Sequence, residues 1–427
     1  MSDYRVDGLM PSEVISPTTK SDVASYLSEL CRQGKTVVPW GGGTRMGIGN
    51  TPKGYDVALD LKSLSSEIEH VAGDMTVVCD AGAKISDLAS LLAESHQRLP
   101  FEVPHPSEAT IGGSVASNAP SRLAPRFGGI RDWVIGMSIV LADGTPTKTG
   151  GRVVKNVQGY DLHRLHTGAF GTLGVIVSVA LKLVPIPENT QTVAMWFDRL
   201  GSAANAALDV DQTNVTVEAA QLFSGSRAVG AIRELAADRH MDLDVTPGDP
   251  GYLMLVQIAG SKAALRRQVD ELTGLAGTVP ATGYEVLSGA HETDIWSYAG
   301  ETGDAAAVSL RVAAKPTTSL DLMGRLERLL GRSEASQTSS TFDVGYGSLQ
   351  FNVEEIDDQS AVKFVAGAKQ TILDANGSVT IERCPAAVKE GIDVFGIDVS
   401  SAKIMKRMKE QFDPNRTLNP GRFAFRI

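Results

Sequence analysis

The sequence predicts an α+β protein of two domains, and three observations carry that prediction. From Thr36 to Val184, short β-rich runs alternate with three separate glycine-bearing loops: Gly41–Gly47, Pro104–Asn118 and Gly168–Gly174. From Val193 to Leu287 the pattern changes to two β-α-β units in series, as in a split β-α-β, ferredoxin-like sandwich with helices on one face of an antiparallel sheet. At 427 residues the chain exceeds what one core usually serves, so two or three domains are expected.

Composition narrows the function. Apolar residues at 42% and charged residues at 21% describe a globular chain able to bury sizeable cores. A net charge of -10 without a basic run argues against a nucleic-acid or anionic-membrane binder, which needs clustered Lys and Arg. The amino terminus has no charged segment followed by an apolar stretch, and no run is apolar enough to span a bilayer, so a cytoplasmic protein is expected. Cys31, Cys79 and Cys384 are odd in number and widely scattered. They suit reduced, structural thiols and cannot by themselves hold a cluster or zinc.

In chain order, Ser16-Pro17-Thr18-Thr19-Lys20-Ser21-Asp22 supplies capping residues and a proline ahead of Val23, Leu27 and Leu30, whose helical spacing runs on to Gly34. Lys35 to Trp40 reads as a short strand leading into Gly41-Gly42-Gly43-Thr44-Arg45-Met46-Gly47. Glycines at a strand exit let backbone N–H groups converge with no Cβ in the way, as a pyrophosphate requires. No Gly-Lys-Ser/Thr follows and no Gly-x-Gly-x-x-Gly opens a helix, which argues against ATP and NAD. Asp56–Leu61 and Thr76–Asp80 have strand character. Ile85–Glu94 is an amphipathic helix with Ile85, Leu88, Leu91 and Leu92 on one face.

Pro104 to Asn118 follows, a run of proline, small hydroxyl residues and a glycine pair whose backbone is what it presents; by itself it reads as a surface loop or as a seat for a phosphate-bearing cofactor. A strand from Val134 to Ala142 ends at the Asp143-Gly144 turn, and Gly168-Ala169-Phe170-Gly171-Thr172-Leu173-Gly174 leads into a strand from Val175 to Val184. After Pro185-Ile186-Pro187 come strands at Val193–Phe197, Val215–Phe223, Tyr252–Ala259 and Tyr284–Leu287, with helices at Ala203–Leu208 and Lys262–Ala276. Strands at Val308–Ala313 and Gly347–Val353 and helices at Leu320–Leu330 and Ser360–Ala375 complete the second domain. The Ser/Thr-rich stretch Ser333–Thr341 reads as a mobile linker.

Taken together, these loops resemble the FAD-binding domain of the vanillyl-alcohol oxidase and p-cresol methylhydroxylase (PCMH-type) flavoprotein superfamily. The resemblance runs from Ser16 to Pro187. It implies that Gly41, Gly42, Gly43, Thr44, Arg45 and Met46 form the pyrophosphate loop. It implies that Pro106 to Asn118, with Ala109, Thr110, Ile111, Gly112, Gly113, Ser117 and Asn118, lies along the pyrophosphate and isoalloxazine, Thr110–Gly113 nearest the phosphates; Gly112→Leu should then abolish flavin retention. Phe127-Gly128 with Arg131-Asp132 matches the aromatic-Gly and Arg-Asp pair of the family. Gly171-Thr172-Leu173-Gly174-Val175-Ile176 matches the motif that touches the nucleotide end, and Asp413-Pro414 to Asn419-Pro420-Gly421 matches the family's ending, with Asn419 a candidate contact or a turn residue. The implied fold is a two-subdomain PCMH-type FAD-binding domain (16–187) after a short extension (1–15), a ferredoxin-like α+β cap (188–400), and a tail (401–427) returning to the FAD domain. FAD is expected to be held non-covalently, since the first loop has no histidine or cysteine and Cys31 and Cys79 lie outside the matched motifs. His105 either points at the flavin or is satisfied in its turn.

Within the superfamily, Val153–Leu162 and Arg383-Cys384-Pro385 look most like the FAD-binding subunits of bacterial glycolate oxidases, relatives of the 2-hydroxy-acid dehydrogenases. The larger catalytic relatives carry a His-Val-Gly-Asp-Gly-Asn-Leu-His segment whose histidines bind a divalent metal. Here the corresponding run is Asp343-Val344-Gly345-Tyr346-Gly347-Ser348-Leu349-Gln350, a poor zinc site; no metal is expected. His163 and His166 are three apart but lack a third ligand. The resemblance implies a flavin subunit that takes a small 2-hydroxy acid such as glycolate or D-lactate, works beside a catalytic flavoprotein subunit and an iron-sulfur subunit, and meets any membrane only through partners. A self-sufficient oxidoreductase, with Arg311 or Arg383 clamping a carboxylate and Tyr346 or His105 near the reacting carbon, and a non-catalytic FAD-stabilised subunit remain as alternatives.

Overall fold

The structure is a computed structural model that describes residues 4–152, 159–239, 251–300, 306–330, 338–397 and 399–427. The run 153–158, part of the glycolate-oxidase resemblance, lies outside the described residues, as does 333–337. The chain forms two compact units, one made of Met1–Ser121, Phe127–Ile186 and Asp393–Ile427, the other of Arg122–Arg126 and Pro187–Ile392. Among the described residues no helix is long and apolar enough to cross a membrane.

Up to Pro185 the elements are β1 (Glu13–Ile15), α1 (Lys20–Arg32), β2 (Val37–Trp40), β3 (Val57–Asp60), β4 (Ile68–Val71), β5 (Thr76–Asp80), α2 (Ile85–Ala93), β6 (Gln97–Arg98), α3 (Ile111–Ser117), α4 (Ala124–Phe127), β7 (Val134–Val140), β8 (Pro146–Gly150), α5 (Leu162–His166), β9 (Val175–Lys182) and β10 (Val184–Pro185). Helix α1 opens with a capping box in which the Thr19 side chain accepts from the Asp22 amide and the Asp22 carboxylate accepts from the Thr19 amide. Strands β1, β3 and β2 form a parallel three-stranded sheet in that order; β1 thus lies inside the region read from sequence as an extension. Strands β4, β5, β9, β7 and β8 form an antiparallel sheet. Strand β9 is buried on both faces, so its sequence is almost continuously apolar. Ile176, Val179 and Leu181 pack with Leu88 and Leu92 of α2 and Ile111 and Val115 of α3. Val175 and Val177 pack with Val23, Leu27 and Leu30 of α1. One strand therefore joins both hydrophobic cores of this unit.

The tail completes the unit. Helix α13 (Ala402–Phe412) ends at Asp413, and the backbone beyond it runs alongside β2: the Val37 amide donates to Thr417 O at 2.7 Å and the Asn419 amide to Val37 O at 2.8 Å. Lys409, buried on an otherwise exposed and basic helix, donates to Asp413 Oδ2 (2.6 Å), Leu418 O (2.7 Å) and Thr172 O (2.8 Å). Its three protons are matched by three oxygens, which compensates for the desolvation that lowers its pKa.

The second unit contains β11 (Thr190–Phe197), α6 (Leu200–Val210), β12 (Val217–Ser224), α7 (Gly225–Arg239), β13 (Tyr252–Ala259), α8 (Lys262–Thr278), β14 (Gly283–Leu287), α9 (Ala290–Gly300), β15 (Val308–Ala313), α10 (Pro316–Leu330), β16 (Thr338–Asp343), β17 (Ser348–Val353), α11 (Asp358–Asp374), β18 (Ser378–Arg383) and α12 (Ala386–Gly391). Its strands run in the order β14-β11-β13-β12-β16-β17-β15-β18. The order is that of two ferredoxin-like units, β11 to β14 and β15 to β18, joined edge to edge where β12 pairs with β16. The expected sandwich is therefore doubled. The Ser/Thr-rich stretch is corrected in part: Thr338–Thr341 is buried strand, and Ser340 Oγ meets Ser224 Oγ at 2.6 Å. Small hydroxyl side chains are tolerated inside a central strand when they hydrogen-bond one another.

Replacing Lys409 by Ala leaves the Asp413 carboxylate buried without its ammonium, and the expected cost is about 3 kcal/mol, read as a lowered denaturation midpoint. His166 is 3% exposed and stacks edge-on against Phe412; burial pulls its pKa down to about 4. Below pH ~6.5 the unfolded chain therefore takes up a proton that the folded chain refuses. Stability tied to this group is complete above that pH and is lost as the pH falls toward 4, by about 3 kcal/mol in all. In His166→Gln this part of the acid slope should vanish, which unfolding curves at stepped pH will test.

Candidate cofactor site

The end of β2 delivers Gly41–Gly43 against the Pro104–Asn118 segment. A Cβ on Gly41 would stand 2.2 Å from Thr110 Oγ1, and one on Gly42 1.9 Å from Glu108 O. The glycines are thus demanded first by the close approach of two chain segments. The Pro104–Asn118 segment is not a bare strip of backbone, as the sequence suggested. Its first part is a turn in which the Glu108 and Ala109 amides donate to His105 O, and its second part is helix α3, whose N-cap Thr110 accepts from the Gly113 amide. The segment is fastened to the loop after β5 by Ile111 N to Ala83 O and Gly112 N to Ala81 O. The third glycine loop is fastened in turn to α3 by Gly168 N to Val115 O and Phe170 N to Ala116 O.

These three segments enclose two adjoining cavities. The larger is bordered by Gly41–Met46, Thr110, Gly113, Ser117 and Asn419; the smaller by Gly41, Thr110, Gly112, Gly113, Gly171, Val175 and Ile176. Pro106, Ala109, Ile111, Asn118 and Gly174 border neither: Ala109 and Ile111 are core residues, Asn118 ends α3 in a left-handed conformation, and Gly174 packs on Ile139. Sequence reasoning missed Pro39, Ser114, Ala116, Phe170 and Arg422. Phe170 was legible only as the aromatic of Gly-Ala-Phe-Gly; it packs with Phe395 and Phe423 at 5.6 and 5.7 Å between centroids.

Gly112 requires a correction. Its Cβ position is 2.6 Å from Ala81 Cβ and 2.9 Å from Ala81 O, so a larger side chain would break α3 away from the sheet whether or not a cofactor binds there. Gly113 is the informative position, since a Cβ there meets only Thr110 Oγ1, at 3.1 Å.

The donor set fits a pyrophosphate-bearing flavin nucleotide. Among the described residues no partner meets the amides of Gly42, Gly43 and Thr44, which are the free donors an anion takes up. Asn419 donates to Phe170 O at 2.6 Å while its Oδ1 is buried with no partner, an unfilled acceptor at the edge of the larger cavity.

Other candidate residues are not gathered. Arg311, in β15, is held in a two-pronged ion pair by Glu382, at 2.8 Å and 3.1 Å. By strand register, Gln221, Asp343, Thr341, Gln350 and Arg311 lie side by side on one face of the sheet. Asp343 is buried, which raises its pKa, and accepts from Gln221 Nε2 at 2.7 Å. Tyr346 is 50% exposed in the β16–β17 turn, and Arg383 is exposed at the end of β18. His105 stands in a left-handed turn. His163 is buried, its pKa lowered by burial and its Nδ1 without a partner. Among the described residues no group of three or more His, Cys, Asp or Glu is placed to hold a metal.

Comparison with known proteins agrees with this geometry. Residues 11–150 match the family model of an FAD binding domain, and residues 397–423 that of the C-terminal domain of FAD linked oxidases. The chain therefore carries an FAD binding domain and the end of an FAD linked oxidase C-terminal domain, which indicate FAD as its cofactor. The chain is similar to the glycolate oxidase subunit GlcD of Bacillus subtilis (strain 168), 25% identical over 97% of this chain and 89% of that protein. It is also similar to the mitochondrial D-lactate dehydrogenase [cytochrome] of Arabidopsis thaliana, 27% identical over 97% of this chain and 73% of that protein. Among solved structures, alkyldihydroxyacetonephosphate synthase shares the fold, with a TM-score of 0.72 at 14% identity over 96% of this chain and 77% of that one.

Gly113→Leu should fold, with the melting temperature of the apoprotein nearly unchanged, yet be purified without flavin absorbance. Normal flavin content in a folded variant would place the cofactor elsewhere.

Proposed function

We propose that this chain is an FAD-dependent oxidoreductase acting on the CH–OH group of a small 2-hydroxy acid, as the flavin-binding subunit of a glycolate-oxidase-like assembly that passes electrons to an iron-sulfur partner. The single observation that carries the reading is the cavity built from three glycine-bearing loops and the returning tail, in a chain whose relatives are named for glycolate, D-lactate and D-2-hydroxyglutarate. In this reading 16–187 with the tail from 401 is the FAD domain and 188–400 the cap. A bound FAD would supply the hydride acceptor for the hydroxyl-bearing carbon. Gly42, Gly43 and Thr44 would offer amides to its phosphates, and Asn419 Oδ1 would accept a hydrogen bond from it. Among the described residues neither histidine nor cysteine borders either cavity, in line with non-covalent attachment.

The subunit reading is favoured over a self-sufficient enzyme by the state of Arg311. Its fork is already filled by Glu382, so it is not poised to clamp a substrate carboxylate unless that acid is displaced. Arg383 and Tyr346 are exposed and remain candidates for the self-sufficient reading.

The test is anaerobic mixing of the flavin-loaded chain, alone, with glycolate, D-lactate and D-2-hydroxyglutarate. The expected result is a yellow protein whose absorbance does not bleach until the partner subunits are added. Rapid bleaching of the isolated chain would instead establish the self-sufficient enzyme, and a chain that never takes up flavin would sink both.

A further inference from the structure

Arg422, the residue after Asn419-Pro420-Gly421, is 2% exposed and borders the larger cavity. Its Nη2 donates to Met46 O at 2.7 Å and to Ile48 O. Its Nε is buried and meets no acceptor. Among the described residues no ion pair or hydrogen bond joins it to a carboxylate; the charge of Asp7 raises its pKa, but burial is the larger effect and takes it down to about 10. Buried cations are normally paired, because an isolated charge in a low-dielectric interior is costly. A guanidinium placed beside a cavity, with one donor unfilled and no carboxylate bonded to it, therefore points to an anion that arrives with a ligand.

We propose that Arg422 supplies the counter-charge for an anionic group of the FAD held in this cavity. The inference rests on the reading of the cavity as the FAD site. FAD offers two groups of this chemistry: the pyrophosphate, negative in both redox states, and the pyrimidine edge of the ring, which becomes negative on reduction. In either case the charge comes from the tail, while Met46 and Ile48 aim the guanidinium by accepting two of its protons. The competing role is that of a strut, in which Arg422 merely ties the tail to the loop at 46–48.

Wild type, Arg422→Gln and Arg422→Met are stripped of flavin, and three quantities are measured: apoprotein melting temperature, dissociation constants for FAD and for riboflavin, and the two-electron potential of the reloaded protein. Pairing with the pyrophosphate predicts a loss of tenfold or more in FAD affinity with riboflavin affinity unchanged. Pairing with the ring predicts near-normal affinity for oxidised FAD and tenfold weaker holding of the reduced form, a fall of about 30 mV. A folded variant with wild-type FAD affinity and potential, whatever its melting temperature, overturns the proposal and leaves the strut. Should neither variant fold, the Nε–H resonance of Arg422 in the wild type, assigned against Arg422→Lys, decides: FAD must shift it and protect it from exchange, and an unmoved resonance is fatal. Wild-type protein that takes up no FAD overturns the cavity reading and this proposal together; normal uptake with unaffected variants overturns this proposal alone.

Discussion

The buried ammonium of Lys409 ties together the parts from which the site is made, because its three donors reach three different pieces of chain: Asp413 at the end of its own helix, Leu418 in the tail, and Thr172 in the third glycine loop. Asp413 in turn accepts from the Thr417 and Leu418 amides, so the tail is bent into the path that takes Thr417 to Asn419 along β2. From there Asn419 and Arg422 reach the cavity. An ion pair of this kind adds little net stability over an apolar substitute, but its directionality specifies one arrangement.

The cavity follows from close packing between backbones. Gly41 and Gly42 allow the end of β2 to touch Glu108 and Thr110, Gly112 allows α3 to touch Ala81, and α3 then receives the Gly168–Phe170 backbone through two amide hydrogen bonds. Most of the glycines that mark the motif are consumed by contacts within the protein. Those with space in front of them, Gly113 above all, form the wall. A glycine motif thus conflates two demands, close packing and ligand access, that only coordinates separate.

The second unit shows why an alternating pattern was readable while its polar face was not. Leu222, Phe342, Leu349, Phe351 and Leu310 are buried, and their period of two is what makes strands visible in sequence. The opposite face places Gln221, Asp343, Thr341, Gln350 and Arg311 next to one another, although they come from four strands spread over more than a hundred residues. Local composition read the start of that face, Thr338–Thr341, as linker, since hydroxyl residues favour loops unless a neighbouring strand satisfies them. The Arg311–Glu382 pair likewise depends on the pairing of β15 with β18.

By itself, the sequence determined what is local or periodic: helix α1 and its cap, the strand ahead of Gly41, the split β-α-β order of the second unit, and the glycine loops that resemble those of FAD-binding flavoproteins. Those signals survive because hydrophobic period, capping chemistry and turn residues act over a few positions. Tertiary structure alone decided which motif residues face the cavity and which face the core, that the ferredoxin-like unit is doubled, that Arg311 is neutralised, and that Arg422 is buried with no carboxylate bonded to it among the described residues. Each depends on the distance between residues far apart in the chain, and that distance is set by how the sheets and the tail pack.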